Sequence, residues 1–120
     1  MVTGEVTPDG EVVVRISVAG QVWRAVIDPG FNGHVELPEA LFRQLRPLFH
    51  TQALVELAAG QEIVEDIFIV DFPFDGHIIA ADATFVDGAD ILIGTALLRD
   101  YRLDINFVTQ SVTLERVAGR

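Results

Sequence analysis

Apolar residues in this chain come in short runs, and nearly every run stops at a turn sequence. Residues 11–18 are rich in β-branched side chains and lie between Pro8-Asp9-Gly10 and Ala19-Gly20-Gln21. Branched side chains suit a pleated strand, while Pro, Asp and Gly suit a tight reversal. Residues 22–27 follow as the hairpin partner. A loop with two glycines, residues 28–33, leads into a short extended piece at 34–37. Residues 53–70 read as a long hairpin turning at Ala58-Ala59-Gly60-Gln61, and Asp75-Gly76 turns the chain into 77–85. Asp90-Ile91-Leu92-Ile93-Gly94 is an apolar strand that stops at a glycine. Residues 101–107, a turn at Val108-Thr109-Gln110, and Ser111–Arg116 alternate apolar and polar positions, as half-buried strands do. The expectation is a mainly β chain.

Two short helices interrupt the strands. In residues 37–45, Pro38 suits a first helical turn and Glu39 suits the positive end of the dipole. Leu41, Phe42 and Leu45 share one face, and Pro47 ends the segment. Thr95-Ala96-Leu97-Leu98-Arg99-Asp100 fits a second short helix.

Length and charge set the outer limits. A chain of 120 residues, half of them hydrophobic, fits one domain, 1–120, around one core. Its apolar stretches are interrupted, as Glu65, Asp66 and Asp71 interrupt 63–72, so none approaches the roughly 20 residues of a membrane-crossing helix. The first residues show no basic cluster followed by an apolar stretch, which makes the cytoplasm the default compartment. Without cysteine, disulfides, thiol catalysis and sulfur-built zinc sites are excluded. Eighteen acids face eight bases, all arginine, for a net charge of −10. The lack of lysine excludes a phosphate-binding lysine loop and Schiff-base chemistry. The acidic balance argues against nucleic acid, which needs clustered positive charge. Two such chains would repel at long range, so a dimer must be held by apolar burial and strand pairing.

The order of segments carries more information than any one of them. Strand, loop with Asp28-Pro29-Gly30, and helix occur once. Strand, loop with Gly94, and helix recur about sixty residues later, a weak internal duplication within one small barrel. Alone, Asp28-Pro29-Gly30 is an ordinary turn. Its context is more specific: Ala25-Val26-Ile27 precedes it, Phe31-Asn32-Gly33 follows, and Ile91-Leu92-Ile93-Gly94 lies downstream. Together these resemble the retropepsin-like aspartic proteases, single-domain relatives of pepsin. That family reads hydrophobic-hydrophobic-Asp-Thr/Ser-Gly, then hydrophobic-hydrophobic-Gly. Residues 26–38 look like its small prokaryotic members, which often read Ile-Asp-Thr-Gly-Phe-Asn-Gly. Ile93-Gly94-Thr95-Ala96-Leu97-Leu98 is similar to the second motif.

The resemblance implies a closed β-barrel with one or two short helices, one lobe per chain. It implies a symmetric homodimer with Asp28 of each copy at the two-fold axis, acting on a peptide or protein substrate, with no cofactor, metal, nucleic acid or membrane. Two carboxylates a few Å apart share a proton, so one can deprotonate water while the other protonates the substrate. On the same basis Gly30 lets substrate backbone approach, Phe31 lines the cleft, and Asn32 binds peptide backbone. Ala58, Ala59, Gly60 and Gln61 form the tip of a mobile flap, and Ile93 and Gly94 support the Asp28 loop.

Pro29 departs from the pattern. The family's Thr or Ser locks the two loops across the dimer axis through its hydroxyl and N–H, and proline has neither. The orientation of Asp28 would then rest on packing. The alternative reading is an impaired or inactive protease fold that binds peptides or only assembles. A third is an unrelated β-barrel in which both motifs are coincidental turns.

Other candidates are weaker. His34, His50 and His77 lack metal-ligand spacing and read as surface or packed residues. Ser17 and Ser111 sit in no nucleophile motif. Glu62/Glu65/Asp66 and Asp87/Asp90 read as solvated faces, and Trp23 as core.

Overall fold

The computed structural model describes residues 1–117, and among these the chain is mainly β. Ten strands are formed: β1 Val2–Val6, β2 Val12–Val18, β3 Gln21–Ile27, β4 Val35–Pro38, β5 Leu48–Glu56, β6 Glu62–Phe74, β7 His77–Val86, β8 Ile91–Ile93, β9 Tyr101–Asn106 and β10 Ser111–Arg116. All ten join one sheet in the order β5-β6-β7-β4-β8-β3-β2-β1-β10-β9.

Turn chemistry accounts for the hairpins. Ala19-Gly20 and Asp75-Gly76 each connect adjacent strands with both residues at positive φ (52° and 82°, 52° and 75°). That is the two-residue reversal whose twist matches the flanking strands. Alternation then selects the faces. In β10, Val112 and Leu114 are buried beside exposed neighbours, and β2 buries Val14, Ile16 and Val18. These meet Phe72 and Phe74 of β6, Leu37 of β4 and Ile91 and Ile93 of β8 in one core, each fully buried large side chain contributing about 1.5–3 kcal/mol.

The sheet does not close into the expected barrel. Closure requires the two edge strands to share a ladder. Here β5 pairs only with β6 and β9 only with β10 among the described residues, so both outer edges stay open. The first five residues of β5 are all exposed, which places that edge in solvent rather than against the core.

Two local expectations also change. Residues 37–45 form a 3₁₀ turn, Glu39–Leu41, running into a four-residue α-helix, α1 (Phe42–Leu45), which Arg46 ends at φ 47° before Pro47. Residues 95–100 form successive turns instead of a helix. The N–H groups of Leu97, Leu98 and Tyr101 donate to the carbonyls of Gly94, Thr95 and Leu98, three residues back. The bonds never settle into the four-residue repeat of an α-helix. Strand β1 was not anticipated. Its Thr-Gly-Glu interior is a poor strand former and is held by ladders to both β2 and β10.

Candidate active site

The site is organised by one parallel pairing. Strand β3 runs beside β8 with Ile27 opposite Ile93, so Asp28 and Gly94 leave the sheet side by side. Strand β4 pairs antiparallel with the other edge of β8, Val35 opposite Ile93. The loop from Asp28 to His34 must therefore arch over the end of β8.

Four backbone bonds fasten that arch. The Asp28 N–H donates to the Ile93 carbonyl (2.9 Å) and the Gly94 N–H to the His34 carbonyl (3.0 Å). The Thr95 N–H donates to Phe31 O (2.8 Å) and the Ala96 N–H to Gly33 O (3.2 Å). These donors are the ones a helix at 95–100 would have left unpaired. The fit at Gly94 is tight: a Cβ there would lie 2.2 Å from Gly33 O and 2.6 Å from Phe31 O. The Phe31 ring lies against both glycines, 2.7 Å from where a Cβ of either would be. Any side chain at Gly94 would push the two loops apart.

Asp28 is half-buried, and its carboxylate is aimed by its own loop. Oδ1 accepts the Gly30 N–H at 2.9 Å, while the Phe31 N–H donates to the Asp28 carbonyl at 3.1 Å. This Asx-type turn needs no hydroxyl at position 29, so the orientation does not rest on packing alone. A Cβ at Gly30 would meet only Asp28 Oδ1, at 3.2 Å. Asn32 is exposed beyond the arch.

The surroundings are acidic. Glu36 on β4 is half-buried, and its carboxyl is raised above the usual glutamate range by burial first, then by the charges of Glu65 and Asp28. Nothing in the sequence singled out Glu36. The signal was its position in residues 34–37, on the face opposite the apolar Val35 and Leu37. Across β3, Arg24 donates to Glu11 (2.6 Å) and to Asp90, and its pKa is raised chiefly by the bond to Glu11. Asp90 is thus a paired charge rather than part of a solvated face. His34 accepts the Asp82 N–H through Nδ1 at 3.3 Å. Trp23 packs on the core from a half-buried position, with Nε1 unpaired.

The long hairpin is β5–β6, tied across its tip by Leu57 N–H to Gln61 O at 2.6 Å. Ala58–Gly60 form a single turn, with Ala59 and Gly60 at φ 71° and 77°. All four tip residues expected there, Ala58, Ala59, Gly60 and Gln61, are exposed, as are Leu54, Leu57 and Val64 beside them.

No protein-family model matches the chain, and no curated protein matches it by sequence. Solved structures do match. A retropepsin-like aspartic protease from Rickettsia conorii superposes with a TM-score of 0.67 at 15% identity, covering 93% of this chain and 87% of that one. The protease of simian foamy virus superposes at 0.58 with 18% identity, covering 72% and 91%. The retroviral protease-like domain of Ddi1 from Leishmania major does so at 0.54 with 16% identity, covering 89% and 90%. The two loops stand side by side as these folds require, which removes the unrelated-barrel reading, and among the described residues no helix is long and apolar enough to cross a membrane. The chain has the fold of the retropepsin-like aspartic proteases.

Proposed function

We propose that this chain is half of an aspartic peptidase, completed when a second copy brings its own Asp28 to a shared two-fold axis. The observation that carries the reading is the placement of Asp28 at the end of β3, locked against Gly94 at the end of β8 in a retropepsin-like fold. A single chain offers one such carboxylate, and a symmetric pair offers two.

In the dimer, one ionised Asp28 takes a proton from water as the water oxygen bonds to the peptide carbonyl carbon. The other Asp28, protonated, donates to the carbonyl oxygen. Collapse of the tetrahedral intermediate returns a proton to the amide nitrogen and breaks the C–N bond. Gly30 leaves room for the substrate backbone, Phe31 and Ile93 support the loop, Asn32 reaches peptide groups, and the β5–β6 tip closes over the substrate. Pro29 withholds the cross-axis lock. The Gly30 N–H at Asp28 Oδ1 supplies orientation within each chain instead.

The test is cleavage of a diverse peptide pool between mildly acidic and neutral pH. Asp28→Asn is expected to lower the rate on the order of 1,000-fold. Pro29→Thr, restoring the lock, is expected to raise it about 10-fold. Activity indifferent to Asp28→Asn would remove Asp28 from the chemistry.

A further inference from the structure

We infer that the groove that begins at Val26, two residues before Asp28 in the chain, selects a cationic side chain, with Glu36 as its specificity-determining residue, so that the preferred substrates carry arginine or lysine near the cleaved bond. The inference rests on the peptidase reading for its substrate and on strand register for its geometry. Glu36 pairs with Thr84 of β7 on one side and with Leu92 of β8 on the other, and Leu92 pairs with Val26 of β3. Partners in a ladder share a face. Glu36, Leu92 and Val26 therefore form a row on one side of the sheet, while Val35 and Leu37 point into the core on the other. Val26 lies next to the last residue of β3, and Asp28 follows two residues on, just past the end of the strand. The charge of Asp28 is the smallest of the three causes that raise the Glu36 carboxyl, after burial and Glu65.

These three side chains line a groove of about 340 Å³, together with Val86, Asp87 and Asp90. Its walls are suited to a long side chain. Val26, Leu92 and Val86 would cover an aliphatic stem, and Glu36 would meet the charged head. Among the described residues no cation of the chain is paired with Glu36. Arg24 is taken by Glu11 and Asp90, and no ion pair holds Glu36 or Asp87 among the described residues. A half-buried carboxylate facing two others is unfavourable when ionised, and a bound guanidinium or ammonium offsets the repulsion.

The experiment uses a mixed peptide pool and an identical pool with every arginine replaced by its neutral isostere citrulline. Cleavage sites are mapped by mass spectrometry for the wild-type chain and for Glu36→Gln. The wild type is expected to cleave beside arginine with kcat/KM about tenfold above the matched citrulline sites. In Glu36→Gln that ratio is expected to fall toward one, with the circular dichroism spectrum unchanged. A wild-type ratio near one, or a ratio that Glu36→Gln leaves intact, overturns the inference while leaving the peptidase reading standing. If neither pool is cleaved, the peptidase reading fails. Fluorescence anisotropy of labelled arginine and citrulline peptide pairs, taken from the two pools, then decides the groove by the same ratio and the same variant.

Discussion

Gly94 and Gly60 both sit in short turns next to a strand, and a Cβ would be received very differently at the two positions. At Gly94 it would enter the space of two backbone carbonyls belonging to the Asp28 loop. At Gly60 nothing lies within 4 Å, and the glycine is needed for its φ of 77°. The first region is over-determined: four cross-loop hydrogen bonds, a parallel strand pair and the buried Ile27 and Ile93 hold it. The second is held by two bonds across its tip and by ladder pairing along one edge. Rigidity sits around the Asp28 carboxylate, and looseness at the exposed tip of the hairpin.

The largest effect on stability is expected from Gly94→Ala. Forcing a methyl group against Gly33 O and Phe31 O should cost about 3 kcal/mol, read as a lowered midpoint in urea unfolding. The matched change Gly60→Ala meets no atoms and only restricts backbone, so about 1 kcal/mol is expected. Equal costs at the two sites would erase the contrast.

Amide hydrogen exchange offers a second way to break the comparison. The N–H groups of Asp28, Gly94 and Thr95 should exchange only with near-global opening, whereas those of the β5–β6 tip should exchange by local opening at least about 100-fold faster. Similar rates would mean the hairpin is as fixed as the arch.

Glu36 lies where the two regions meet, coupled to Asp28 on one side and to Glu65 of β6 on the other. Its carboxyl binds a proton more tightly in the folded chain than in the unfolded one. Its favourable contribution is therefore complete below the ordinary glutamate range and is lost as pH rises through the elevated folded value. Glu36→Gln should then raise Tm relative to wild type at neutral pH, with the gap closing as pH falls through that range. A gap independent of pH would contradict the assignment. The smallest change in the neutral range is expected at Tyr101, whose phenol is pushed up to about 12 by burial and by donating to Asp75 (3.0 Å). Its contribution is present below the ordinary tyrosine range and lost as pH rises toward 12. Ultraviolet titration should show Tyr101 ionising late, and Asp75→Asn should bring it earlier.

What the sequence disclosed follows from which signals are local. Gly20 and Asp75-Gly76 announce their turns because glycine, and to a lesser degree aspartate, tolerates φ > 0, whereas Ala19 is carried to 52° by the hairpin. The paired loops were legible because Asp28-x-Gly30 and Ile93-Gly94 each end an apolar strand. The failures are non-local. Ala96-Leu97-Leu98 has helical propensity, but the segment closes in turns whose acceptors lie three residues back, while Thr95 and Ala96 tie it to the Asp28 arch, a tertiary partner that periodicity cannot see. Barrel closure depends on whether β5 and β9 meet, which no single segment encodes. Glu36 looked unremarkable until register placed it beside Leu92, whose partner on β3 is Val26.

The central claim, that two copies each contribute Asp28 to one site, is tested most directly by mixing. Wild-type and Asp28→Asn chains would be combined at fixed total concentration, equilibrated, and assayed on one cleavable peptide. If both carboxylates are required, activity falls as the square of the wild-type fraction, because mixed dimers are silent. A linear fall would mean that each chain works with its own Asp28 alone and would contradict the account.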